Sequence, residues 1–236
     1  MNHIPFKNYQ RANEILYILY SSDLEGNNYG LSKIAIQKII YLANLYSPLK
    51  EIILSTIRFM SYKRGPYSPD IQNSLDQLMS NGYVNISDYQ SFSNNASNAE
   101  YKISEAGVSV VNNLICLDKE EEKKWWYSVI FRLSRIYSEQ ITLKNQNGEY
   151  SGFDKIVNLV YKDSTFLQYK KKQHNAFIDL ENKSLPTYEL IALIKDYVKM
   201  GYIELNQENE RNNTEFILIG FYEFLYSQFL DQSANG

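Results

Sequence analysis

The chain is poor in the residues that carry most protein chemistry. Among its 236 residues are one cysteine and two histidines. A lone thiol, Cys116, excludes an internal disulfide and a cysteine-rich zinc site, and His3 and His174 leave little for metal ligation or histidine-dependent catalysis. Glycine is also sparse, with 10 copies scattered at turns, so no phosphate-binding glycine loop can be drawn. A His-Glu-x-x-His helix and a G-x-S-x-G elbow are likewise missing. No apolar run approaches the roughly 18 residues of a membrane span, and the opening MNHIPFKNYQ lacks a signal-peptide core. A cytoplasmic protein that meets no membrane is expected.

What is there is ordinary globular composition, 44% hydrophobic and 22% charged, with a net charge of −3. That balance weighs against a dedicated nucleic-acid binder. Cys116 sits beside Leu114, Ile115 and Leu117 and reads as an inert core thiol on a helix, and His174, after Lys170-Lys171-Lys172-Gln173, as a solvated loop histidine. No enzyme and no cofactor are expected.

Residues 58–84, RFMSYKRGPYSPDIQNSLDQLMSNGYV, organise the first half. Alternation over Phe59–Arg64 predicts a short strand, which Gly65-Pro66 breaks. Ser68 is a candidate N-cap, with Pro69 at the first helical position and Asp70 in the first turn. Ile71, Leu75 and Leu78 make an apolar stripe, and Gly82 fits a left-handed cap before a strand from Tyr83. Helices are predicted upstream over 9–21 and 31–46. Downstream, strands over 83–86 and 100–103 flank a polar tip, and a helix over 105–117 follows. Helix, strand and polar hairpin in this order are the heart of a winged helix.

The acidic and basic run DKEEEKK at 118–124 opens a long helix to about 141, with Trp126, Val129, Ile130, Leu133 and Tyr137 on one face. Then the first pattern returns. A helix from Pro186 runs into Gly201-Tyr202, as the earlier one runs into Gly82-Tyr83. A strand over 202–205, a polar tip over 206–214, a strand over 215–219 and a closing helix over 221–230 complete the parallel. The expectation is an α+β, mainly α fold: tandem winged-helix domains at 1–117 and 146–236, joined by a linker helix at 118–145.

DNA binding is the usual task of a winged helix. Here the helix in the reading position holds Asp70 and Asp76 and no lysine or arginine, and the first wing has no cation. Positive charge lies elsewhere, at Arg58, Lys63 and Arg64 and at Lys170, Lys171 and Lys172, as candidate contacts to a DNA backbone or an acidic partner. Protein docking is the other use of the fold. Adjacent Trp125 and Trp126 point about 100° apart on a helix, one into the core and one outward. With Tyr67 they are the candidate partner anchors.

The run Ile36-Gln37-Lys38-Ile39-Ile40-Tyr41-Leu42, then Phe59–Asp70, Leu75–Val84 and Tyr101–Gly107, resembles accessory proteins of bacterial defence operons. In particular it resembles the middle component of three-component ABC systems of the Lamassu type. More distantly it is similar to the Panacea or SocA-like antitoxin domain, with its K-x-x-Y helix and Y-x-x-G-P turn. The resemblance covers residues 31–107. It implies a non-catalytic subunit that sits on an SMC-like ATPase and an effector subunit of the same operon, with DNA contact inside the assembly, and that helps restrain or release a toxic effector. An autonomous winged-helix repressor or antitoxin is the alternative.

Overall fold

The computed structural model describes residues 9–26, 30–52, 54, 57–62, 65–91, 97–144, 156–172, 176–205 and 209–233. Its elements run α1 (Tyr9–Leu24), β1 (Leu31–Ser32), α2 (Lys33–Tyr46), β2 (Phe59–Tyr62), β3 (Gly65–Tyr67), α3 (Pro69–Ser80), β4 (Val84–Ser91), β5 (Ser97–Ile103), α4 (Glu105–Leu114), α5 (Asp118–Lys144), α6 (Ile156–Val160), α7 (Ser164–Lys172), β6 (Phe177–Ile178), α8 (Pro186–Lys199) and α9 (Glu210–Ser233). The protein is mainly helical, with two small antiparallel sheets. Two compact units interleave along the chain: Met1–Ile40 with Ser68–Arg132, and Tyr41–Tyr67 with Leu133–Gly236. The sequence reading instead divides it linearly at 117 and 145.

In the first unit β1, β5 and β4 form a sheet in that order. Ile71, Leu75 and Leu78 of α3 are buried, as their spacing predicts, alongside Ile15 and Ile18 of α1 and Ile36 and Ile39 of α2. Pro69 begins α3, and Gly82 ends it at φ 77°, with the Tyr83 amide donating to the Leu78 carbonyl at 2.9 Å. Ser68 occupies the N-cap position, yet its hydroxyl makes no capping bond. Ser104 does cap α4, its Oγ accepting from the Gly107 amide at 3.1 Å. The β4–β5 hairpin is longer than the expected strands, pairing out to Ser91 and Ser97. β1 pairs Leu31 with Tyr101, where the sequence pattern predicts helix. Cys116 is a further correction: α4 ends at Leu114, so the thiol lies in a turn and is exposed.

In the second unit β2 is the central strand of β3-β2-β6. Phe59 is buried and meets Tyr41 edge-on at 5.3 Å, and Tyr46 packs on Phe221 at 5.1 Å. The second winged-helix pattern fails at element level. Gly201 repeats the cap of Gly82, with φ 77° and the Tyr202 amide donating to the Tyr197 carbonyl at 2.9 Å. No strand follows over 202–205, and the expected strand over 215–219 lies inside the 24-residue helix α9. Thr214, Leu218, Phe221, Tyr222 and Leu225 are its buried face, a helical period that outweighs the local β-propensity of Phe216–Ile219. Among the described residues no helix is long and apolar enough to cross a membrane.

Candidate functional site

Helix α3 and the β4–β5 hairpin of the first unit build an acidic surface among the described residues. Burying Ile71, Ser74, Leu75 and Leu78 turns Asp70, Asn73, Asp76 and Ser80 outward. Gln72 Nε2 donates to Asp76 Oδ1 at 2.7 Å, one helical turn away, which fixes that carboxylate on the outer face. Asp76 also contributes, after burial, to holding the Tyr101 phenol above its ordinary pKa.

The hairpin continues this acidity. Its register shifts between Ile86 and Asp88, so that Ser87 is an extra residue, its hydroxyl donating to the Glu100 carbonyl at 3.2 Å. Beyond the bulge Asp88 stands directly opposite Glu100. Like charges in a cross-strand pair oppose hairpin formation, so the sheet carries this pair against its own stability. Ile86 and Tyr89 are exposed on the same strand. The only cation of β4 and β5 is Lys102, 4.0 Å from Asp23. Sequence reasoning does not reach the Asp88–Glu100 pair, because only the bulge brings the two into register.

The expected site residues do not gather into one place. Trp126 is fully buried, a core residue of the first unit that no partner can reach, so it is withdrawn as an anchor. Trp125 keeps partial exposure, with its ring centroid 6.3 Å from that of Trp126. Tyr67 is half-buried on β3, 5.9 Å from the exposed Tyr62. Lys63, Arg64 and His174 lie outside the described residues. Lys170 and Lys171 are exposed on α7, the Lys170 ammonium 4.8 Å from the Tyr161 ring centre. Lys172 is helical, its side chain outside the described set.

Arg58 is exposed and lines a cleft of about 610 Å³ in the second unit, with Ile52, Leu54, Phe177, Asp179 and Tyr188. One cation among carboxylates gives this cleft no single electrostatic preference. A buried polar cluster in the same unit is structural: Asp163 accepts from Tyr41 and Thr187 hydroxyls and the Phe166 amide at 2.8–2.9 Å, capping α7. Among the described residues no three His, Cys, Asp or Glu side chains come together to hold a metal.

Compared with known proteins, the chain matches no family model and no curated protein.

Proposed function

We propose that this chain is a non-catalytic accessory subunit whose first unit is a winged helix used to dock on a protein. The observation that carries the reading is the sign of the reading face: Asp70 and Asp76 on α3, Asp88 and Glu100 on the hairpin, and no cation on α3. The element order α1-β1-α2-α3-β4-β5-α4 with sheet order β1-β5-β4 supports the winged-helix assignment. A phosphate backbone would meet this face at an electrostatic cost, whereas a basic protein surface would be attracted to it. Exposed Ile86 and Tyr89 would supply apolar contact beside the charges.

The partner is taken to be the SMC-like ATPase, with the effector subunit, of a Lamassu-type antiphage complex, as the resemblance over residues 31–107 implies. DNA contact inside that complex would fall to Arg58 and the lysines of α7. The test is duplex DNA binding by the isolated chain at low and physiological salt, beside co-purification with its neighbouring gene products. No DNA binding, with salt-sensitive co-elution beside an ATPase, is expected. Sequence-selective DNA binding by the isolated chain would promote the repressor or antitoxin reading and overturn this one.

A further inference from the structure

Strand β4 is an open edge of the first unit's sheet. In the order β1-β5-β4 it pairs with β5 alone among the described residues. The Ser104 amide donates to the Tyr83 carbonyl at 3.0 Å, continuing the register of Val84 with Ile103. Backbone groups alternate in direction along an antiparallel strand, so Asn85 turns its own toward β5 and Ile86 turns its own to the open side. The side chains are open as well: Asn85–Tyr89 are exposed without interruption, where a strand covered on one face alternates. Edge strands are commonly blunted by brevity, lysine or proline, and β4 has 8 residues and neither of those two. The bulge at Ser87 is such a device too, but beyond it Asp88–Ser91 pair regularly.

The bulge also sorts the chemistry of this edge onto two faces. Ile86 lies opposite the buried Tyr101 and Tyr89 opposite Ala99, on the face that carries Val84 into the core. Asp88 lies opposite Glu100 on the other face, where Lys102 is opposite Asn85. We propose that β4 accepts an extended segment of the protein partner as a fourth strand, and that this segment alternates apolar residues with lysine or arginine. The inference rests on the protein-docking reading of the first unit and gives it a mode. A surface laid flat on either face meets one set of side chains, whereas a strand along the edge meets both. Its apolar residues fall beside Ile86 and Tyr89 and its cations beside Asp88 and Glu100. A cation there offsets the like-charge repulsion within the hairpin. Lys102 already lies 4.0 Å from Asp23, so the incoming cations belong at the Asp88 end rather than the Asn85 end. A second copy of β4 does not fit, because β4 holds no lysine or arginine to set against Asp88.

Two peptides of about eight residues and equal composition test this, one alternating lysine with valine and one with all its lysines first. The alternating peptide should bind the full chain at least about tenfold more tightly and should slow amide exchange at Ile86. N-methylation of its valines blocks an antiparallel added strand and N-methylation of its lysines a parallel one, so one methylated form should lose binding and the other keep it. Asp88→Asn should weaken binding by about three- to tenfold. Ile86→Pro removes an N–H that faces the open side and no β4–β5 bond, and should abolish binding, with circular dichroism confirming an intact fold. Equal affinity for the two peptides, binding that survives both methylations, or a folded Ile86→Pro that binds as wild type overturns strand addition. Co-purification with a neighbouring gene product that is unchanged in Ile86→Pro overturns it too, while the docking reading stands. A wild-type chain that binds duplex DNA and no neighbouring gene product removes the docking reading and strand addition with it.

Discussion

The side-chain amide of Gln37 and the backbone of Ser68 close a two-bond ring: Gln37 Nε2 donates to the Ser68 carbonyl and the Ser68 amide donates to Gln37 Oε1, both at 2.9 Å. Both residues are buried, so α2 supplies the first turn of α3 with the partners that water cannot. Gln37→Ala leaves the buried Ser68 amide unmet and strips the Ser68 carbonyl of one of its two partners, and should cost about 2 kcal/mol in urea unfolding. Faster hydrogen exchange at the start of α3 should accompany it.

Ser68, beside this ring, does not act as a side-chain N-cap. Its Oγ is buried and has no hydrogen-bond partner. Ser68→Ala removes an unsatisfied buried hydroxyl and should therefore leave the protein as stable as wild type or more stable, by up to about 1 kcal/mol. Ser104→Ala removes both the bond from the Gly107 amide and one to the Gly82 carbonyl at 2.7 Å, and should cost about 1 kcal/mol. Equal costs at the two serines would contradict this account.

Lys38 carries a pH signature. Burial pushes its ammonium down from 10.5 to about 7, so the folded state binds fewer protons than the unfolded chain between those values. Stability from this group is present above 10.5 and is lost as pH falls through about 7. Wild type should thus gain stability from pH 7 to pH 9. Lys38→Met should flatten that rise and lift the melting temperature by roughly 3–6 °C near pH 6.5. A steeper rise in the variant would rule out this origin.

How far the sequence could be read depends on how local the signal is. Pro69 and Gly82 act on their own neighbours, and the helix and cap they predict are present, whereas Gly65-Pro66, expected to break the strand, itself lies in β3 and pairs with Tyr62 and Ser61 of β2. Gly201-Tyr202 shows the limit: the cap recurs, but a cap says only that a helix has ended. Phe216–Ile219 is a short apolar run compatible with strand or helix, and the longer period through Thr214, Leu218, Tyr222 and Leu225 is the signal that decides it. β1 and β6 are two residues each and exist through distant partners, Tyr101 for Leu31 and Phe59 for Ile178. No local pattern encodes them. At the candidate site the acidity of α3 is legible from composition, while the Asp88–Glu100 pair needs the bulge.

That pair yields a prediction in which stability and binding move oppositely. Asp88→Asn relieves the like-charge juxtaposition and should stabilise the protein by about 0.5 kcal/mol. If the acidic face docks a basic partner, the same change should weaken co-purification and reduce its salt dependence. A variant that is more stable and binds its partner unchanged would remove the hairpin from the interface.

Asp163 tests whether burial or hydrogen bonding dominates a carboxylate with every donor assigned. Desolvation raises its pKa above 3.8, against lowering by the Phe166 amide, Tyr41, Thr187 and the Thr165 amide. With the folded pKa raised, its contribution to stability is fully present below 3.8 and is lost as pH rises through the folded value. Asp163→Asn has no such titration, so the stability gap between wild type and this variant should be widest near pH 4 and narrow toward pH 7. Asp163→Ala strands these donors in the core and should cost about 3 kcal/mol or more at neutral pH. Urea unfolding at pH 4, 5.5 and 7 measures both. A gap that widens with pH would mean that the donors outweigh desolvation and that the carboxylate is a net stabilising charge, which would make Tyr41 and Thr187 the residues that hold α7 in place.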